Sequence, residues 1–286
     1  MSAAGGALEV ADVMCVALAR QIADGDVVGV GLGTPLALAA CLLARATRAP
    51  GSHLLVAGTV DPDADLKTCL AGPRALLGRT AGYVPHFDTM DMAERQAMTM
   101  QFLRPAQVDG VGDLNTSRVT GPEGAVRRFP GGLATGDVPS LMRKIVVYLP
   151  DHRPRSLPAR VAYRTGAGAA TARGPYSSSG VVCLVTDLAV FRFLGTQPVT
   201  EIPEGRLSGK RSGQVSSARV AELVSVHPGI DAATVRAATG FDYDDGDVAV
   251  SGGPTDEERA ALERIDPLGL RARELASKPR QSGDVE

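Results

Sequence analysis

At 286 residues, with 44% hydrophobic and 22% charged content, the chain has the make-up of an ordinary globular protein that can bury a full core. A net charge of −2 and a pI of about 6.1 leave no electrostatic footprint for nucleic acid, and no basic stripe stands out. Aromatics make up only 4% and Trp is absent, so Ala, Val and Leu must build the core.

The opening stretch, MSAAGGALEVADVMCVALARQIADGD, lacks a basic start and carries Glu9, Asp12 and Arg20. It reads as neither a signal peptide nor a membrane span, so no membrane association and a cytoplasmic location are expected. Residues 9–24 set Val10, Val13, Met14, Ala17, Leu18 and Ile22 on one helical face, with Gly25 as the C-terminal cap. VVGVGL (27–32) reads as a buried parallel strand, and Pro35 opens a helix that runs to about Arg48. HLLVAGTV (53–60) is the next strand. It runs out into Asp61-Pro62 without a side chain that can attack, protonate or bind a metal strongly.

Residues 61–96 are mixed, with a short helix within DADLKTCLAGPRALLG and a loop around Pro85. MTMQFLRP (98–105) ends a strand. AQVDGVGDLNTS makes a polar, glycine-punctuated turn, and GPEGAVRRFPGG continues the irregular region. A helix follows Thr135 to about Met142, and KIVVYL (144–149) has strong β character. VVCLVTDLAVFRF (181–193) reads as a hairpin and AELVSVHP (221–228) as a strand. Asp231 caps a helix that Gly240 ends, and Thr255 caps TDEERAALERI, whose first-turn acids suit the helix dipole. Alternating helices and strands predict an α/β fold, an open and mostly parallel sheet with helices on both faces. One domain is expected over 1–275, with loop insertions at 164–180 and 195–214 and a disordered tail at 276–286.

Several chemistries drop out. GVGLG (29–33) lies between a strand and a helix, but Thr34 stands where a dinucleotide loop needs glycine, and no acid closes the next strand. The turn suits instead the approach of an anionic or thioester-bearing ligand to a helix N-terminus. His53, His86, His152 and His227 show no metal-binding spacing, and Cys15, Cys41, Cys69 and Cys183 show no CxxC, so no metal site is expected. Those cysteines read as buried hydrophobes. There is no GxSxG elbow. Asp61, Asp63 and Asp65 read as solvated acids of a polar turn.

Four stretches occur in order: GVGLGTPLALAA (29–40), FLRPAQVDGVGDLNTS (102–117), RRFPGGLATGDVPSL (127–141) and TDLAVFRF…ELVSVHPGIDAATVRAATGF (186–241). With RIDPLGLR near the end, they resemble the B (β) subunit of the heteromeric CoA-transferase family, of the glutaconate CoA-transferase type. The resemblance implies a CoA-transferase, NagB/RpiA-like fold and a homologous A subunit as partner, in an A2B2 heterotetramer. It also implies an acyl-CoA substrate near the subunit interface, with coenzyme A as part of the substrate and no tightly bound cofactor.

In true transferases of this type the B subunit carries a nucleophilic glutamate in a Glu-Ser-Gly-like turn after the second strand. Here that turn is Val56-Ala57-Gly58, so no residue of this chain is a certain catalytic group. The same loss marks the steroid ring-opening hydrolase branch, whose essential carboxylate belongs to the A subunit. The resemblance therefore favours C–C bond hydrolysis or related lyase or condensation chemistry. A transferase with a relocated nucleophile and a non-catalytic structural subunit stand as alternatives. The expected acyl-CoA pocket comprises Gly31, Gly33 and Thr34; Val56, Ala57 and Gly58; Gln107, Asp109 and Asn115; and Gly131, Gly132 and Asp137. Gln107 and Asn115 either donate to a carbonyl oxygen or tie two loops together, and Asp109 is expected to receive backbone donors.

Overall fold

The computed structural model describes residues 3–31, 33–121, 124–133, 135–168, 180–193 and 221–276. The loop expected at 195–214 lies outside them, as do nearly all of the expected tail and most of the loop at 164–180.

Helix α1 (Ala3–Ala19) begins earlier than its apolar periodicity suggested and ends well before Gly25. Gln21 and Ile22 already donate to Leu18 and Ala19, tightening the last turn, and Gly25 (φ 82°) serves the later turn into β1. Strand β1 (Val27–Val30), helix α2 (Pro35–Ala46) and strand β2 (His53–Val56) form a crossover unit of two parallel strands and a helix, in the order expected. Short β3 (Thr59–Val60), α3 (Leu66–Leu70) and β4 (Gly82–Tyr83) follow. The loop expected around Pro85 is instead helix α4 (His86–Glu94), because Pro85 sits just ahead of the first turn, where no amide is needed.

Beyond it come β5 (Met100–Leu103), the small pairs β6 (Gln107–Val108) with β7 (Leu114–Asn115) and β8 (Arg118–Thr120) with β9 (Val126–Arg128), then α5 (Val138–Leu141) and β10 (Lys144–Leu149). The expected hairpin is present as β11 (Val181–Thr186) and β12 (Ala189–Phe193). Strand β13 (Ala221–Val226), helix α6 (Ala232–Ala238), strand β14 (Asp244–Val250), helix α7 (Asp256–Ile265) and helix α8 (Arg273–Ala276) complete the chain. Asp231 caps α6 through Thr234 N, and Thr255 with Glu258 makes a reciprocal capping box on α7.

Ten strands form one sheet in the order β14-β13-β12-β11-β10-β5-β1-β2-β3-β4. The middle five, β11, β10, β5, β1 and β2, run parallel. Alternation along β10 shows why it is buried on both faces. Val146 and Tyr148 join a cluster with α1, α2 and α7, while Ile145, Val147 and Leu149 join one with α4, α5 and α6. Helices therefore cover both faces, as the sequence predicted. All four cysteines are buried and free, and burial pushes each thiol above its ordinary range. Among the described residues, no helix is long and apolar enough to cross a membrane, and no cluster of His, Cys, Asp or Glu could hold a metal ion.

Candidate active site at the carboxyl ends of the parallel strands

Chain order reverses between β1 and β5: after β1 the chain moves to β2 on one side, and later to β5 and β10 on the other. Open α/β sheets open a crevice at such a point, outside the carboxyl ends of the strands. Gly31, Gly33 and Thr34 follow β1 here, and Ala57 and Gly58 follow β2 one strand away. Gly33 needs its φ of 78°, and Thr34 Oγ1 donates to Gly31 O at 2.6 Å, closing the turn.

The turn after β2 is a two-residue hairpin loop. Val56 pairs with Thr59, and Ala57 (φ 54°) and Gly58 (φ 76°) both adopt left-handed conformations. That is the turn type whose twist matches paired strands, and it favours glycine at both central positions. Val56 is buried, Ala57 half-buried and Gly58 exposed. Ala57 thus holds a conformation disfavoured for a residue with a Cβ. Substituting Ala57→Gly is expected to raise stability by up to about 1 kcal/mol, read as a shifted midpoint in urea denaturation.

The helix N-terminus at this crevice is already occupied. Glu274 of α8 reaches across, and its Oε2 accepts from Leu36 N at 3.0 Å. Tyr148 OH, from β10, donates to the same carboxylate at 3.1 and 3.2 Å, and Arg104, just after β5, meets Oε1 at 3.1 Å. Burial outweighs the Leu36 amide, Arg104 and Tyr148, so Glu274 sits above the usual carboxylate range. The Tyr148 phenol, buried beside this carboxylate, is pushed well up. A built-in carboxylate therefore takes the Leu36 amide at the start of α2, beside the turn of Gly31, Gly33 and Thr34. Arg104, Tyr148 and Glu274 were not singled out from the sequence, and only the basic residue in FLRP hinted at them.

Gln107, Asp109 and Asn115 face inward. Gln107 Nε2 donates to Arg155 O, and its Oε1 accepts from Asn115 Nδ2 at 2.8 Å and Ala162 N at 3.0 Å. Asn115 also donates to Arg118 O and accepts from Ser117 N and Arg118 N. Asp109 accepts from the amides of Val111, Asp113 and Val161, yet burial still raises it above the usual carboxylate range. Of the two roles expected for Gln107 and Asn115, the geometry supplies the loop-tying one, since both side-chain amides are consumed internally. Gly131 (φ 97°) is bound to Thr116 through both backbone atoms, and Gly132 and Asp137 are exposed.

Two of the three acids after β2 are engaged as well, rather than solvated. Burial pushes Asp61 up, but hydrogen bonds from His53 and Leu54 N, with Arg45 nearby, hold it below the usual range. Asp65 caps α3 through Thr68 N at 2.8 Å. Neither faces the strand end as a free carboxylate.

No protein-family model matches the chain, and no curated protein does. Solved structures do. The decarboxylase AibA/AibB superposes with a TM-score of 0.73 at 29% identity, over 92% of this chain and 97% of that one. The chain has the CoA-transferase fold. Glutaconate coenzyme A-transferase from Acidaminococcus fermentans matches at 20% identity and a TM-score of 0.66, over 90% of this chain and 94% of that one. IpdAB of Rhodococcus jostii RHA1 matches at 21% identity and 0.71, over 94% and 98%. At those last two identities the likeness is one of fold.

Proposed function

We propose that this chain is the B-type subunit of a two-subunit enzyme that breaks a C–C bond of an acyl-CoA thioester, with the acid–base group supplied by the partner. The observation that carries this reading is the turn after β2. A covalent transfer mechanism needs a carboxylate at this strand end, and the chain offers buried Val56 and a tight Ala57-Gly58 turn. The nearest acids, Asp61 and Asp65, are tied to His53, to Leu54 N and to α3. AibA/AibB, at 29% identity over nearly the whole chain, is a decarboxylase, which is a C–C bond-breaking enzyme.

The chemistry is compatible with such a surface. When a C–C bond next to a thioester breaks, its electron pair passes onto the thioester carbonyl. The resulting oxyanion needs donors and dry surroundings, and the new carbanion-like centre takes a proton from an acid. Val56 and Ala57 offer apolar walls and no competing nucleophile. The inward-facing Gln107, Asp109 and Asn115 hold the neighbouring loops in place. Glu274, by capping α2 and holding Arg104, fixes the rim of the crevice.

The test is an isotope experiment on the complex of this chain with its partner. Acyl-CoA esters bearing a β-keto or carboxyl group are incubated with labelled free carboxylic acid. C–C cleavage products without label in the CoA ester support the reading. Label entering the ester identifies a transferase and overturns it.

A further inference from the structure

The β8–β9 hairpin carries three exposed arginines, Arg118, Arg127 and Arg128. Arg118 and Arg128 stand directly opposite each other in the antiparallel register and so share one face. Their Cβ atoms are then about 5 Å apart, a spacing at which like charges destabilise a strand pair. Arg20, Arg95, Arg192 and Arg236, by contrast, each meet a carboxylate. No carboxylate meets either hairpin arginine among the described residues. Tyr163 stands beside them, with the Arg118 guanidinium 4.9 Å from its ring centroid and the ring itself partly exposed.

The hairpin is held in place. Asn115 receives the amides of Ser117 and Arg118 and donates to Arg118 O. Phe129 N donates to Ser117 O, and Thr116 binds Gly131 by its backbone and its hydroxyl. The same segment therefore continues from the arginine pair directly into the Gly131-Gly132 turn, part of the expected acyl-CoA pocket. An anion that bridges both guanidinium groups removes the cost of the pair.

We propose that Arg118 and Arg128 form an anion clamp for the phosphate end of coenzyme A, with Tyr163 holding Arg118 in position. The proposal rests on the acyl-CoA reading above and adds to it the subsite for the phosphates. It also gives a chain of net charge −2 a local cationic pair for a polyanion.

The test uses isothermal titration of the complex with its partner, with coenzyme A and with pantetheine, which lacks the phosphate-bearing nucleotide. The Arg118→Gln/Arg128→Gln variant is expected to weaken coenzyme A binding by about ten-fold or more and to leave pantetheine binding unchanged. The Arg118→Lys/Arg128→Lys variant keeps the charge without the planar fork and is expected to bind coenzyme A more tightly than the Gln variant and less tightly than the wild type, which controls for folding of the hairpin. Wild-type affinity for coenzyme A in the Gln variant overturns the clamp alone. Equal loss for coenzyme A and pantetheine, or loss of the partner from the Gln variant, also overturns it. A wild-type complex that binds pantetheine and coenzyme A equally overturns the clamp while leaving the acyl-CoA reading intact, and one that binds neither overturns both.

Discussion

Substituting Glu274→Ala lowers the stability of the folded chain by about 3 kcal/mol, the largest single effect expected near the candidate site. The carboxylate joins three elements far apart in sequence: Leu36 N at the start of α2, Tyr148 on β10 and Arg104 after β5. Removing it strands a buried amide and a buried phenol, each costing about 1–3 kcal/mol when left without a partner. Arg104 is half-exposed and turns to water, so its loss adds little. Glu274→Gln keeps an acceptor for Leu36 and Tyr148 and costs about 1 kcal/mol. Urea denaturation of both variants checks this. A Glu274→Ala midpoint equal to that of the wild type would show that α2 is capped by other means.

Acid is expected to weaken the fold at an unusually high pH for a protein with so few histidines. His152 is buried and bonded on both ring nitrogens, to Thr186 Oγ1 and Thr239 Oγ1, each at 2.8 Å. Thr239 already donates to Val235 O, so His152 Nε2 donates to Thr239. Thr186 Oγ1 already accepts from the amides of Leu188 and Ala189, and its one proton lies between Ala189 O at 3.1 Å and Nδ1, so it has no lone pair left for a proton on Nδ1. The neutral ring therefore fits and the charged ring does not. Burial, with His227 nearby and against the pull of Asp151, lowers His152 from 6.5 to about 4.

His227 is lowered by burial too; its Nε2 donates to Thr186 O at 2.8 Å and its buried Nδ1 has no partner, so a second proton there would be stranded. The sign follows from the depressed folded values. Above pH 6.5 both folded and unfolded histidines are neutral and stability is at its plateau. Below it the unfolded chain binds protons that the folded chain refuses. Both histidines cost stability in this range, and His152, at about 1.4 kcal/mol per pH unit, accounts for about 3 kcal/mol by pH 4. Unfolding free energies between pH 7 and pH 4 check the slope, which should diminish in a His152→Gln variant. A flat profile down to pH 5 would contradict the neutral, buried assignment.

Local signals carried much of this fold. KIVVYL carries three β-branched residues followed by Tyr and Leu, apolar on both faces after Lys144, and it became the buried parallel strand β10. Thr255 and Asp231 were both legible as helix caps, because a cap uses only neighbouring residues. Strand β14 was missed because Asp244, Asp245 and Asp247 disguise an edge strand, where charge is tolerated. Helix α4 was missed because Pro85 reads as a breaker when it precedes the first turn.

The candidate site divides along the same line. The emptiness of the turn after β2 was visible in Val56-Ala57-Gly58, since a missing carboxylate is a local fact. The cap on α2 was not, because Glu274 is joined to Leu36 and Tyr148 only by the folded sheet. The arginine pair was likewise hidden. Arg127 and Arg128 are adjacent in sequence but point to opposite faces, and it is Arg118 that the register sets beside Arg128. Spacing along the chain reveals a helix face or a cap, whereas cross-strand register is fixed by tertiary packing.

The most direct measurement of the central claim is intact mass spectrometry of both chains after incubation with acyl-CoA ester and borohydride. A carboxylate that had formed a CoA thioester would be trapped as a reduced, mass-shifted chain. The account predicts substrate turnover with both chains at their unmodified masses, leaving Val56 as apolar wall at the end of β2. A mass-shifted chain, on either subunit, would contradict it and return the enzyme to covalent transfer.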